Sequence, residues 1–509
     1  MTTTATSSPR PGRIVSGSGL PALLRESPDA VPFTPRTPDP ACVLTVGRLR
    51  EELVPRWREG VERQARAMVR RSRSTLEVLT GETLYDRLDD PAHRRAALVA
   101  ELFRNHQVSA NAGRLDTRAL QRRVVEALAE SEPLRFELAW GQAKRSVGGL
   151  KTHGQWADLA EVYAVGRVLA LVLAARELAE DDRIGMTVYS GGNRFAKALY
   201  ARPQAFAEYD AQRQRIAAAL VGPGVAEFLD YAAVMRSDAA EDARHEERVA
   251  RHLAALTDED VAGQMPVMLF NVDWPQVLPL AAGGEAPHGV PMAPHVAEWL
   301  REAPDERVPL LVRAAVTCAV SPAAQARWLE VFGDRPEVLE DAVAFVLAVG
   351  RAAAARYTAI ARADRDAPGR TAGPHTVRLT VHEKTDRPEV PAVLTLGVRG
   401  GAQLSQHVIA RVAPDAPVAF ASVAETQVRS PEAAPVLLTD TAGTTAGTAD
   451  NATTGTTAST ASTAPAGADA ATADLFDWLV REDLPLCYAS GPEQGVLRAL
   501  AQVLDPDHG

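Results

Sequence analysis

Hydrophobic positions recur with two different periods along this chain, and the alternation between them outlines the fold. From Val43 to Val78 the apolar residues Leu49, Leu53, Trp57, Val61, Ala65 and Val69 fall at near-helical spacing among Arg and Glu, which predicts a long amphipathic helix kinked at Pro55. Helical patterns follow over Pro91 to Leu102 and Thr117 to Ala129. At Pro133 the period changes. Leu134 to Trp140 alternates like a half-buried strand, Gly141 to Gly154 reads as a loop holding Lys144, Lys151 and His153, and a helix is expected from about Trp156 to Glu180. Ile184 to Ser190 then predicts a second strand, Gly191-Gly192-Asn193 a tight turn, and the residues from Arg194 another helix. Strand, loop, helix, strand, glycine turn and helix make a βαβ unit with parallel pairing.

The middle, residues 205 to 365, patterns as helix after helix: Ala239 to Leu256, Val308 to Val320, Ala323 to Phe332 and Val338 to Ala361. Strand-like segments return at Thr376 to His382, Ala392 to Val398, His407 to Val412 and Val418 to Val423, which predicts a small antiparallel extension of the sheet. The fold class expected is therefore α/β: a Rossmann-like mixed sheet, a large helical layer and that C-terminal extension. The domain plan is a disordered tail over 1–40, N-terminal helices over 41–130, an α/β domain over 131–439 and a Thr/Ala-rich flexible insertion over 440–474. A C-terminal docking segment over 475–509 completes it.

Composition narrows the function. The chain has 509 residues, 46% of them hydrophobic and 24% charged, with a net charge of −10, so it can bury a large core and offers no cationic excess for nucleic acid. No stretch reaches the length of a membrane span; Val162 to Ala175, interrupted by Arg167, reads as a buried helix. The N-terminus lacks the apolar region of a secretory signal. The three cysteines, Cys42, Cys318 and Cys487, are widely spaced and odd in number, which suggests neither a disulfide framework nor a cysteine zinc site, and fits the cytoplasm. One asymmetry stands out: of 55 basic residues only Lys144, Lys151, Lys197 and Lys384 are lysine. GC-rich codon usage favours arginine; against that bias a lysine marks a position where a compact amine serves and a guanidinium does not.

The chemistry-bearing residues cluster at the predicted strand ends, where ligands gather in open α/β sheets. Ser190-Gly191-Gly192-Asn193-Arg194 offers backbone N–H groups, a hydroxyl and a guanidinium to an anion, although a bare glycine pair also serves turn geometry alone. Asp158 and Glu161, three apart, either cap the first crossover helix or face the crevice as a general base or amine holder. Arg378, Thr380 and His382 alternate on one strand, as a solvated edge or as a polar face that His407 could meet. His245-Glu246-Glu247 has its next histidine at His252, the wrong spacing for a helical zinc motif, and no metal site is expected.

Taken in order, these pieces resemble the isonitrile (isocyanide) synthase family over about residues 120 to 425. Trp140-Gly-Gln-Ala-Lys144-Arg145-Ser146 is similar to the family's strand-end loop with its Lys-Ser. Lys151-Thr-His-Gly-Gln-Trp-Ala-Asp158-Leu-Ala-Glu161 keeps the spacing of its helix-opening Lys, Asp and Glu. Ser190-Gly191-Gly192-Asn193-Arg194-Phe195 resembles its Ser-Asp-Gly-x-x-Phe turn, with Tyr209 beyond, and Arg378-Leu-Thr380-Val-His382 followed by Gln406-His407 resembles its late Arg-x-Ser-x-His and Trp-His. The loop prolines are absent, Gly191 replaces an acid and Gln406 a tryptophan.

The resemblance implies an enzyme that converts the α-amine of an amino acid to an isonitrile, with ribulose 5-phosphate as carbon donor and no metal or redox cofactor. It implies Lys144, Asp158, Glu161 and His382 as catalytic residues. Lys151, Ser146, Ser190, Gly191, Gly192, Arg194, Tyr209, Arg378 and His407 would then bind substrate. Its partners would be the amino acid, the sugar phosphate and a downstream oxygenase of the same pathway, with no nucleic acid or membrane. The departures leave two other readings open. One is a divergent member with another amino-acid or sugar-phosphate reaction; the other is a small-molecule-binding protein that kept the crevice and lost the chemistry.

Overall fold

The first sheet grows from the predicted βαβ unit. The computed structural model describes residues 19–36, 38–78, 84–140, 143–190, 192–230, 239–366, 373–382, 387–397, 404–440 and 475–506. Its strands, in chain order, are β1 (Cys42–Thr45), β2 (Arg135–Ala139), β3 (Gly185–Ser190), β4 (Ala226–Asp230), β5 (Thr376–Thr380), β6 (Ile409–Val412), β7 (Ala419–Ala421), β8 (Ala434–Thr439) and β9 (Pro485–Ala489). Four of them form a wholly parallel sheet in the order β4-β3-β2-β5. From β2 the chain steps outward to β3 and β4, then returns through the helical middle to place β5 on the other side of β2. Strand order thus reverses between β2 and β5, and in such sheets the ligand crevice opens beyond the carboxyl ends of the strands that flank the reversal.

The crossover helix Leu159–Ala179 has no polar face: Leu159 to Val165 are all buried, as are Val168 to Val172, Ala174, Ala175, Leu178 and Ala179. A helix apolar all round must be covered all round. Helices Val54–Val78, Pro91–Leu102 and Pro203–Val221 pack on it, and so do β6 and β9 of the second sheet. Pro55 enters helix Val54–Val78 as its second residue, directly after a π turn over Leu49–Leu53, so the irregularity expected at the proline is this change of winding.

The α/β class and the helical layer are as the pattern implies; the later strands are arranged differently. Strand β5 extends the first sheet in parallel. The others build a separate five-stranded mixed sheet in the order β1-β8-β9-β6-β7, with β1 parallel to β8, β9 parallel to β6, and the pairs β8/β9 and β6/β7 antiparallel. Residues 392–397 form no strand; Ala392 bridges to Thr380 of β5, and Val393 to Ser109 outside the sheets. Two strands lay hidden inside patterns read as helical, β1 at the head of the first amphipathic run and β4 in the helical middle.

The expectation of a disordered tail through residue 40 is corrected for residues 19–36. Helix Gly19–Glu26 buries Leu20, Leu23 and Leu24. Arg313 donates to the carbonyl of Pro32 at 2.8 Å, Arg327 to those of Pro28 and Val31 at 3.0 and 2.7 Å, and Phe33 meets Trp328 edge-on at 4.9 Å. Its polar backbone is satisfied by guanidinium groups from distant helices, a partnership that local composition does not reveal. Residues 1–18 of the proposed tail and 441–474 of the proposed insertion lie outside the described residues. At the C-terminus, the Trp478 indole donates to the Ala157 carbonyl at 3.0 Å, at the head of the crossover helix. Among the described residues no helix is long and apolar enough to cross a membrane.

Candidate functional site

The loop after β2 passes Lys144 under the first turn of the crossover helix. Asp158 is the N-cap of that helix: its Oδ1 accepts from the backbone N–H of Ala160 at 2.8 Å, while the Glu161 Oε2 accepts from the N–H of Asp158 at 2.8 Å. This reciprocal box satisfies two otherwise orphaned donors and places two carboxylates against the positive end of the helix. Both also bind Lys144, whose Nζ lies 2.6 Å from Asp158 Oδ2 and 2.9 Å from Glu161 Oε2, and donates to the Val408 carbonyl at 3.2 Å. Tyr209 completes the cluster by donating its hydroxyl to Glu161 Oε1 at 2.8 Å. Capping and function, set as alternatives from the sequence, fall on the same atoms.

All four side chains are buried. Burial works against the Lys144 ammonium, but Asp158 and Glu161 outweigh it and raise its pKa, so Lys144 is held protonated. One ammonium between two carboxylates leaves a net negative charge out of water, and the cluster relieves it by binding a proton. Asp158 carries that response: burial, offset by Lys144 and reinforced by Glu161, pushes its pKa up to about 7. A carboxyl titrating near neutrality suits general acid and base work alike.

Lys151, seven residues on, meets the reverse environment. Its Nζ donates to the Phe270 carbonyl at 3.0 Å and to Asn271 Oδ1 at 3.0 Å; burial, Arg145 and Lys144 drive its pKa well below the ordinary lysine value. The same surroundings keep the nearby imidazoles neutral. His153 stacks on Tyr488 of β9 with ring centroids 5.4 Å apart, and burial and Lys144 lower its pKa to about 4. Burial, Lys151, His382 and Lys144 lower that of His407 well below the usual range.

Lys144 also forms part of the wall of a cavity of about 450 Å³, with Arg145, Ser146, Gln155, Arg202, Asp273 and Gln276 among the other lining residues. The floor of this loop is bent tightly. Val147, Gly148 and Gly149 have φ of 51°, 62° and 74°, and a Cβ on Gly148 would lie 2.7 Å from the Pro309 carbonyl oxygen. Glycine is required there, and a β-branched residue in the left-handed region at Val147 is held only by its burial.

The structure therefore joins Lys144, Asp158, Glu161 and Tyr209 directly, and sets Lys151, His407 and His382 around them. Tyr209 lies in the core against Glu161 and is not among the lining residues of this cavity. Ser146 is in the cavity wall, its hydroxyl accepting from the Gly149 N–H at 3.0 Å. His382 lies past the end of β5, which stops at Thr380, and is exposed; its N–H donates to Thr380 Oγ1 at 3.1 Å. Arg378 is mid-strand, level with Glu137 of β2, away from the strand end. Ser190 closes β3, and Gly192 and Arg194 belong to helix Gly192–Leu199, while Gly191 lies outside the described residues. Of the other lysines, Lys197 forms an exposed ion pair with Glu246 at 2.9 Å, and Lys384 lies outside the described residues. His245 and His252 bind Asp364 and Asp366 of the long helix Pro336–Asp366.

Sequence reasoning missed Arg145, Arg202 and Asp273 of the cavity wall and Tyr488 of β9. Arg145 had a visible signal, its seat between Lys144 and Ser146; the others come from distant segments with no pattern of their own. No protein-family profile matches the chain, and no curated protein matches it. Among solved structures the chain is similar to the PvcA protein from Pseudomonas aeruginosa, at 16% sequence identity and a TM-score of 0.37, with 68% of this chain and 97% of that one covered. At that distance the likeness assigns no function.

Proposed function

We propose that this protein is an enzyme of the isonitrile synthase type, joining the α-amine of an amino acid to the ketone carbon of ribulose 5-phosphate. The observation that supports it is the fully buried Lys144 between Asp158 and Glu161, beside a cavity walled in part by the loop after β2 and within the segment whose sequence resembles that family. Addition of an amine to a ketone needs a proton donor to the carbonyl oxygen and an acceptor for the amine proton; loss of water then needs the donor again. Lys144, kept as an ammonium and present in the cavity wall, is the donor in this reading. Asp158, with a pKa of about 7, lies behind it at 2.6 Å and resupplies or accepts the proton. His382, past the end of β5, is assigned to the sugar side.

The test is incubation of the full chain with a panel of amino acids and ribulose 5-phosphate, trapping of any isonitrile with a tetrazine, and mass spectrometry. A trapped adduct that disappears in Lys144→Ala is the expected result. No adduct and no consumption of either substrate by a folded protein would overturn the reading. Gly191, standing where the resembling family has an acid, favours as the second reading a binding protein without turnover.

A further inference from the structure

A second cavity, of about 470 Å³, opens beside the first. Gln276 belongs to both walls, and Arg202 of the first lies in the chain between Ala201 and Pro203 of the second. Lys197, Tyr200, His288 and Arg356 supply the other polar side chains of the second wall, and among the described residues no carboxylate lines it. Lys144 is shut in by its carboxylates, whereas the Lys197 side chain is 66% exposed and that of Arg356 is 26% exposed. Volume and exposure together make this a space that a small molecule can enter.

The two cations come from different helices, Lys197 from Gly192–Leu199 and Arg356 from Pro336–Asp366. Glu246 of helix Ala239–Ala254 bridges them: its Oε1 accepts from Lys197 Nζ at 2.9 Å and its Oε2 from Arg356 Nη2 at 3.0 Å. Two oxygens of one carboxylate reach both cations, so the cations already stand at a spacing that a single oxyanion spans. One half-exposed carboxylate answers two positive charges, which leaves the wall cationic. Solvent-screened ion pairs of this kind hold weakly enough to yield to a competing anion. Burial lowers the His288 pKa, so the charge rests on Lys197 and Arg356. Tyr200 is fixed beside them. Its hydroxyl accepts from the His288 N–H at 2.6 Å, which leaves its own proton to donate; the His288 ring lies edge-on to it at 4.8 Å and donates through Nε2 to the Ala198 carbonyl at 3.0 Å. Tyr200 and His288 hold φ of 55° and 51°, a left-handed backbone that costs energy in both and that the surrounding contacts must maintain.

We infer that this second cavity is a phosphate site, in which Lys197 and Arg356 neutralise the phosphate of a small phosphorylated metabolite and the Tyr200 hydroxyl donates to a third oxygen. An ammonium, a guanidinium and a phenol suit the three terminal oxygens of a phosphate monoester better than the two of a carboxylate, and lysine serves phosphate as a compact point charge. As the seat of the sugar phosphate of the reaction above, the site rests on that proposal; as a phosphate site it stands on the cavity alone.

Isothermal titration of the full chain at fixed ionic strength tests it, with inorganic phosphate, ribulose 5-phosphate and acetate as separate ligands. Phosphate and the sugar phosphate should bind, and acetate far more weakly. Lys197→Gln and Arg356→Gln should each weaken phosphate binding roughly tenfold or more, the loss of one charge-assisted contact, and Tyr200→Phe should weaken it severalfold. Glu246→Gln should tighten it severalfold by removing the competing anion, a direction that misfolding cannot imitate. The inference is overturned if neither phosphate ligand binds, if acetate binds as tightly as phosphate, if Lys197→Gln and Arg356→Gln both keep wild-type affinity, or if Glu246→Gln leaves affinity unchanged or weaker. Phosphate binding that Lys197→Gln abolishes, without isonitrile formation, would keep the site and remove the reaction. Isonitrile formation by a wild type whose phosphate affinity is indifferent to Lys197→Gln and Arg356→Gln would do the opposite.

Discussion

Lys144 and Lys151 belong to the same loop, are equally buried, and are in opposite chemical states. The first faces two carboxylates at 2.6 and 2.9 Å and is held charged. The second faces a backbone carbonyl and an amide oxygen, with Arg145 and Lys144 nearby, and is driven toward the neutral amine. Burial alone would neutralise both; the partners decide which keeps its proton. One loop thus presents, seven residues apart, an ammonium held by two carboxylates and an amine whose pKa is driven well below the ordinary lysine value. The buried carboxylates come free with the helix, since Asp158 and Glu161 would be needed to cap it whether or not Lys144 were present.

Removing each lysine should expose the difference. Lys144→Met leaves Asp158 and Glu161 buried without their cation and should cost about 3–5 kcal/mol at neutral pH, with loss of turnover. Lys151→Met removes two hydrogen bonds from a group that is not held charged and should cost about 1–3 kcal/mol. Urea unfolding of the two variants beside the wild type measures both, and equal losses would break the comparison. The pH dependences have opposite signs. The folded pKa of Lys144 lies above the ordinary 10.5, so its contribution is complete below that value and lost only as pH rises through the folded pKa. The folded pKa of Lys151 lies well below 10.5; the unfolded chain binds the extra proton, and stability climbs with pH until 10.5. Lys151→Met should flatten that climb.

Asp158→Asn sharpens the picture at the acid side. The folded pKa of about 7 stands above the ordinary 3.8, so the folded state binds the extra proton. Its stabilisation is fully present below 3.8 and lost as pH rises through about 7. The asparagine variant, which cannot ionise, should lose this slope, and any pH–rate limb near neutrality should vanish with it. Unfolding free energies followed across that interval check the first expectation; a slope that survives the substitution would place the titration on another group.

How much of this was legible in the sequence depended on how local the cause was. The βαβ unit, the Asp158/Glu161 pair and the lysine loop are adjacent in the chain, and their spacing carries their geometry. Strand β4 reads Ala-Glu-Phe-Leu-Asp, too short and too weakly alternating to stand out among helices. The second sheet is assembled from Cys42–Thr45 and from four strands after residue 408; no local period announces pairing across such distances. Arg145 was obscured by composition, one of 51 arginines. Its buried setting against Phe206, Asp273 and the loop backbone is a fact of tertiary structure. Tyr209 meets Glu161, a contact that depends on a helix register the sequence pattern does not supply.

That register makes Tyr209 the source of the smallest and most discriminating effect. Its hydroxyl, kept protonated by burial and by the neighbouring Glu161, donates to Glu161 Oε1 at 2.8 Å, and its ring lies 4.7 Å from the Arg213 guanidinium. Tyr209→Phe keeps the ring and removes the donor. Stability should fall by about 1–3 kcal/mol, the range for one hydrogen bond to a charged group, and less if water reaches the vacated position. The direction of the accompanying pH shift matters more. The donated hydrogen bond stabilises the negative charge of the cluster; without it that charge is less well compensated, Asp158 holds its proton more tightly, and its midpoint near 7 moves alkaline. A merely structural tyrosine would lower stability and leave that midpoint where it was. Following the pH at which stability changes slope, in Tyr209→Phe against wild type, separates the two, and a midpoint that stays or moves acid would show that Tyr209 does not tune the carboxylate cluster.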